Sequence, residues 1–148
     1  MEKKFMDLWV KNKNKLEDYF RKTKQREYDE YKNIVKKIFE LVINDNLDSD
    51  DLSNNVYNVE EMTVIDNGDY QGTQIFLIPE DCYQPDADEY VFTHNYYGSC
   101  SGCDTLQSIH DYDTDEKPDE EQIKDYMLLS LHIVENIRYL IPREEKEN

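Results

Sequence analysis

The residues best placed by type and spacing to do chemistry are Cys100 and Cys103, in the string Tyr97-Gly98-Ser99-Cys100-Ser101-Gly102-Cys103-Asp104. A Cys-x-x-Cys between a strand and a helix suits thiol redox work, because a helix dipole can lower a thiol pKa. Neither an aromatic-Cys-Gly-Pro-Cys string nor a βαβ frame accompanies it here, and Asp104, Asp111 and Asp113 would raise the thiol pKa instead. The same spacing suits zinc, with Cys82 and either His94 or His110 joining Cys100 and Cys103 in a tetrahedral set. The chain lacks the second Cys-x-x-Cys pair that would make that signal strong. Gly98, Ser99, Ser101 and Gly102 ahead of a helix could cradle an anion with backbone N–H groups, but the surroundings are strongly negative and supply no Lys or Arg. The favoured reading is structural. The glycines permit a sharp turn, Ser101 caps the following helix, and the cysteines pack as small residues under Tyr96 and Tyr97.

Carboxylates are the next candidates. Asp111, Asp113 and Asp115 alternate as calcium ligands do, yet the sixth position of such a loop is Glu116 instead of Gly and the twelfth is Gln122, so the segment reads as a solvated acidic loop. His94, His110 and His132 lack a nucleophile pattern such as Gly-x-Ser-x-Gly, and His132 falls in an apolar run as a core or boundary residue. Paired carboxylates are too numerous for any one pair to mark a catalytic site, and none is assigned.

The string from Tyr97 to Gln107 resembles a Y-G-S-C-S-G-C-D-T-L block of small uncharacterised proteins of bacteriophages and their hosts, where it follows a strand. The likeness extends to the hairpin Gly68-Asp69-Tyr70-Gln71-Gly72-Thr73. It implies a viral or mobile-element setting and no particular activity.

The elements that must carry these residues follow from periodicity. Phe5, Leu8, Trp9, Leu16, Tyr19 and Phe20 recur at helical spacing between Lys3 and Arg21, and Tyr28, Tyr31, Ile34, Val35, Ile38, Phe39 and Val42 repeat the pattern after a polar break. Two helices are expected, followed by an acidic loop from Asn44 to Asn55. Met62 to Tyr70 contains Asn67-Gly68, a pair suited to a type I′ turn, so a β-hairpin follows with its second strand over Tyr70 to Ile78. Residues 80 to 89 form an acidic connection to a third strand, Tyr90 to Tyr97, with Tyr90, Phe92, His94 and Tyr96 on one face. A short helix from Cys103 to His110 precedes a long one that starts near Pro118, with that proline in its first position, and runs to Ile141 before Pro142. The expected fold is α+β, with two N-terminal helices, a three-stranded antiparallel sheet, a short helix and a long C-terminal helix. Residues 1 to 148 read as one domain: 1 to 44 helical and net basic, 56 to 97 an acidic sheet, and 103 to 141 helical.

Charge gives the strongest functional signal. The net charge is -17, but residues 1 to 40 hold 12 Lys/Arg against 8 Asp/Glu, whereas no Lys or Arg occurs between Leu41 and Glu116, where 18 Asp/Glu fall. Such an excess repels nucleic acid and attracts basic surfaces, which in cells are mostly surfaces that bind nucleic acid. The expected partner is a basic, nucleic-acid-binding host protein, met without chemistry and in the manner of a nucleic-acid mimic. The expected contact residues are Asp45, Asp48, Asp50, Asp51, Asp81, Asp86, Asp88, Glu89, Asp111, Asp113, Asp115 and Glu116. Direct nucleic-acid binding and a resident cofactor are not expected. Two rivals remain: a zinc or thiol protein using Cys82, Cys100, Cys103 and His94, and a homo-oligomeric scaffold whose basic helices meet its own acidic face. The first residues lack a signal-peptide pattern and no apolar run is long enough to cross a membrane, so a cytoplasmic location is expected.

Overall fold

In the computed structural model, the described residues are 3–23, 31–44, 56–68, 72–97, 109 and 117–142. Helix α1 spans Lys3–Lys22 and buries Phe5, Leu8, Trp9, Asn12, Leu16 and Phe20, a stripe at the expected three- and four-residue spacing. Helix α2, Tyr31–Ile38, continues into a wider π-helical turn, Phe39–Ile43, closed by Asn44 N–H donating to Phe39 O at 2.7 Å. A π-turn breaks the ordinary helical ladder and leaves carbonyls to be satisfied elsewhere. Buried Asn12 donates its Nδ2 to Val42 O at 2.8 Å, tying α1 to this turn.

Strands β1 (Thr63–Asp66), β2 (Gly72–Pro79) and β3 (Tyr90–Tyr97) form an antiparallel meander, and a fourth strand, β4 (Arg138–Tyr139), adds to its far edge in the order β1-β2-β3-β4. Register pairs Val64 with Phe76, Phe76 with Thr93 and Ile78 with Val91. These residues share one face of the pleat, where Phe76, Ile78, Val91 and Thr93 are sealed against the helices. The alternating aromatic residues of β3 take the opposite face, where Tyr96 is 54% exposed. The size of its side chains does not decide which face of β3 turns inward: Thr93 goes in because its hydroxyl donates to Ile133 O at 2.7 Å.

Helix α3, Glu120–Glu135, begins with a reciprocal cap in which Gln122 N–H donates to Asp119 Oδ1 at 2.8 Å and Asp119 N–H to Gln122 Oε1 at 2.9 Å. Pro118 therefore precedes the cap instead of filling the first helical position. α3 packs on α1, with the rings of Phe20 and Tyr126 stacked 4.9 Å apart. The core is one cluster joining residues of α1, α2, the π-turn, the sheet and α3.

The α+β class stands, and three details differ from expectation. The C-terminal helix stops at Glu135 instead of Ile141, because the chain turns to pair Val91 with Tyr139 and Phe92 with Arg138, making the sheet four-stranded. Tyr139 then packs 5.8 Å from Phe5, Leu140 N–H donates to Tyr90 O, and the Arg138 guanidinium donates to the Glu135 and Ile137 carbonyls. The β1–β2 hairpin is present but is not a two-residue type I′ turn. Neither Gly68 nor Gly72 has a positive φ, and Asn67 N–H donates to Thr73 O, with five residues, 67 to 71, between the two strands. The side chains of Asp66 and Asn67 take this turn over by accepting from Gly68 N–H and Thr73 N–H. At Gly72 a Cβ would stand 2.9 Å from Asn67 Oδ1 and from the Gly68 Cα, so this position needs glycine. Finally, His132 is exposed, on the turn-related row of α3 with Asp125 and Leu128 and away from buried Leu129 and Ile133. The expected helix at 103 to 110 lies outside the described residues except for buried Ile109.

Candidate acidic interface

Of the residues expected to meet a partner, Asp81, Asp86, Asp88 and Glu89 fall in the described chain, and the β2–β3 connection brings them together. Four backbone hydrogen bonds shape this connection. Glu80 N–H donates to Glu89 O and closes its neck at 2.8 Å, Asp81 N–H donates to Val56 O, Cys82 N–H to Glu80 O, and Glu89 N–H to Asp86 O across a 3-10 turn at Ala87–Glu89. Asp86 N–H also donates to Glu89 Oε1 at 3.1 Å. Gln84 sits at φ 49, in the left-handed region that side chains disfavour, so the tip of the connection stores strain. Next to it Tyr83 is 91% exposed.

The acidic field is local and dense. The described residues from 56 to 97 hold eight Asp/Glu and no Lys or Arg, whereas α1, α2 and the π-turn hold ten Lys/Arg against four Asp/Glu. Among the described residues Glu60, Glu61, Asp81 and Asp86 make no ion pair, and Arg21–Glu17, Arg21–Glu120 and Lys37–Glu40 are pairs of the helical side. Mutual attraction between Arg21 and Glu120, through their hydrogen bond and then their charges, raises the Arg21 pKa and lowers that of Glu120.

Cys82 reports the field directly. Its thiol donates to Glu89 Oε2 at 3.1 Å, and this bond, with burial and the charges of Glu89, Glu80 and Asp81, pushes its pKa up to about 11. It stays protonated at neutral pH and is a weak nucleophile. Nor does it share a site with His94. Cys82 lies beyond the Pro79–Tyr90 pair that ends the sheet, while exposed His94 pairs with Ile75, four residues or about 13 Å farther along β3. Cys100 and Cys103 lie outside the described residues. Oxygens of Asp86, Asp88 and Glu89 come within 4.8 Å of one another, close enough to share a divalent cation, but exposed acidic groups commonly stand so without one.

Asp45, Asp48, Asp50 and Asp51, and likewise Asp111, Asp113, Asp115 and Glu116, lie outside the described residues, yet the residues that flank them are placed. The Asn44 side chain donates to Tyr57 O and accepts from Tyr57 N–H, both at 2.8 Å, and Tyr57 bridges Glu80. Segment 45–55 thus leaves and rejoins the described chain beside the acidic connection. The other segment is flanked differently. Ile109 O accepts from Gln122 Nε2 at the start of α3, where Glu120 pairs with Arg21 near the end of α1. Phe5, at the opposite end of α1, packs against Tyr57, so the two sets of flanks are separated by about 25 Å of helix.

Sequence reasoning missed three members of this end. Glu60 and Glu61 follow the N-cap Asn58 in a 3-10 turn next to Tyr57, and Tyr83 is an aromatic residue exposed amid carboxylates. Their signal was present in the acidic connection and in the run Asn58-Val59-Glu60-Glu61, but it takes the Tyr57–Glu80 bridge and the backbone bonds beside it to bring the two together. Comparison with protein-family models, with curated proteins and with solved structures finds no match to this chain. Among the described residues no helix is long and apolar enough to cross a membrane.

Proposed function

We propose that the protein is a non-enzymatic acidic binding protein of phage or mobile-element origin, which occupies a basic, nucleic-acid-binding surface of a host protein. The contact is made by the sheet end carrying Glu60, Glu61, Glu80, Asp81, Asp86, Asp88 and Glu89, with Asn44 and Val56, the residues that flank segment 45–55, beside it. One observation carries this reading: Tyr57 and Val56 join the ends of the acidic 45–55 segment to the acidic 80–89 connection, where no described Lys or Arg interrupts the field. Carboxylates held this way can take the place of phosphates on a cationic groove. The described residues on either side of 111–116 stand at the other end of α1, so the proposal does not include that segment.

Tyr83 gives the charged surface an anchor. A rigid, exposed aromatic ring among carboxylates can stack on a guanidinium while neighbouring acids pair with it, and interface energy concentrates in such residues. The test is capture from host lysate with wild-type protein and with a combined Asp81→Lys, Asp86→Lys and Asp88→Lys variant. A nucleic-acid-binding protein retained by the first, lost by the second and displaced by added DNA or RNA fits the proposal. Capture that is indifferent to nucleic acid and to the three reversals contradicts it.

A further inference from the structure

α1 and α3 run antiparallel, since Phe20 stacks on Tyr126 and Arg21 pairs with Glu120, and an open groove of about 430 Å³ lies between them. Trp9, Met127, Leu128 and Leu131 make its apolar surface, and Lys13 and Lys124 stand over it. Leu128 is 52% exposed, while Trp9 is 6% exposed at the groove floor and is the only tryptophan of the chain. Glu17 also lines the groove, but its carboxylate is engaged by Arg21 at 3.5 Å, whereas neither Lys13 nor Lys124 makes an ion pair among the described residues. Two lysines against the single carboxylate of Glu17 make the groove lining net positive, in a chain whose net charge is -17.

We infer that this groove is a second docking site, one that takes an amphipathic helix of a partner protein carrying Asp or Glu beside its apolar stripe. Its geometry is that of two antiparallel helices awaiting a third. Trp9 to Glu17 on α1 and Lys124 to Leu131 on α3 each cover about two helical turns, roughly 12 Å, which matches apolar anchors at i, i+3, i+4 and i+7. The two lysines select the charge of the occupant. Ile109, the last described residue before the acidic segment 111–116, is held by Gln122, which stands about 160° around α3 from Lys124. The site is separate from the acidic end and does not depend on what that end binds.

Trp9 makes the inference directly measurable on the full-length protein. The probe is a 16-residue Leu/Glu amphipathic helix, with a counterpart in which each Glu is replaced by Lys. The Glu peptide is expected to shift Trp9 emission saturably and the Lys peptide to leave it unchanged. Lys13→Glu with Lys124→Glu, both exposed positions, should weaken the Glu peptide at least tenfold and bring in the Lys peptide; Leu128→Glu should weaken the Glu peptide without any such exchange of charge preference. Unchanged circular dichroism separates these effects from unfolding. Equal binding of both peptides, or no response of Trp9, overturns the inference. So does a saturable shift with laurate but not with peptide, which would assign the groove to a lipid-type anion. A doubled mass by light scattering with a concentration-dependent Trp9 emission in the absence of peptide would assign it to a second copy of the chain and overturns it equally.

Discussion

Around α1, α2 and the π-turn, ten Lys and Arg surround a core in which Phe5, Leu16, Phe20, Ile38 and Phe39 are sealed from solvent; at the sheet end, backbone bonds hold a connection whose side chains are largely exposed. The helical side gains its stability from apolar burial and from buried polar atoms with partners, as at Asn12 and Thr93. Residues 80–89 gain little of either, and their like charges repel one another. Such a region persists because the fold around it is secure. That division of labour predicts that substitutions on the two sides act on different measurements.

The largest expected effect on stability is at Phe20. Phe20→Ala removes a ring of 0% exposure stacked on Tyr126 and should cost about 3–5 kcal/mol by denaturant unfolding. The triple reversal at Asp81, Asp86 and Asp88 should cost far less than Phe20→Ala, about 0.5–2 kcal/mol at most, because the positions are exposed and relief of repulsion offsets the lost N-cap of Asp86. A triple variant that unfolds would break the comparison. Next comes Asn12→Ala, which leaves the Val42 carbonyl buried without its donor and should cost about 1–3 kcal/mol while leaving partner binding intact.

Asn44→Ala sharpens the comparison because it changes no charge. Losing two hydrogen bonds to Tyr57 should cost about 1–2 kcal/mol and should also weaken partner binding, since the ends of segment 45–55 are no longer held beside Glu80. A stability loss with full binding would remove segment 45–55 from the interface. The smallest effect is local to Cys82. In a Cys100→Ser, Cys103→Ser background, alkylation of Cys82 should rise with a midpoint near pH 11, and Glu89→Gln should move that midpoint down toward the ordinary thiol range. The sign follows from a raised folded-state pKa: the thiol's favourable bond to Glu89 is fully present below the ordinary thiol pKa and is lost as pH rises toward 11.

What was legible in the chain was local. The burial of Phe5, Leu8, Trp9, Leu16 and Phe20 on α1, and of Ile34, Val35, Ile38 and Phe39 after it, follows the helical spacing, and the alternation of Tyr90 to Tyr97 marks β3. What escaped was decided at long range. Ile133, Val134, Ile137, Leu140 and Ile141 sustain an apolar pattern past Glu135, and only the contact of Tyr139 with Phe5 and the bond of Leu140 to Tyr90 turn the chain into β4. The same holds for the acidic loops. Their charge is plain in the sequence, but the Asn44–Tyr57–Glu80 chain of contacts sets the flanks of 45–55 beside 80–89, and the length of α1 separates these from the described residues around 111–116.

The most direct test of the acidic end as a phosphate substitute is the salt dependence of the partner complex. With the captured host protein, the binding constant should fall steeply as salt concentration rises, because salt screens the attraction between exposed carboxylates and a basic surface. The Asp81→Lys, Asp86→Lys, Asp88→Lys variant should bind more weakly and with a shallower slope. A complex whose affinity does not change with salt, or whose slope is the same in the variant, would contradict the acidic end as the binding surface.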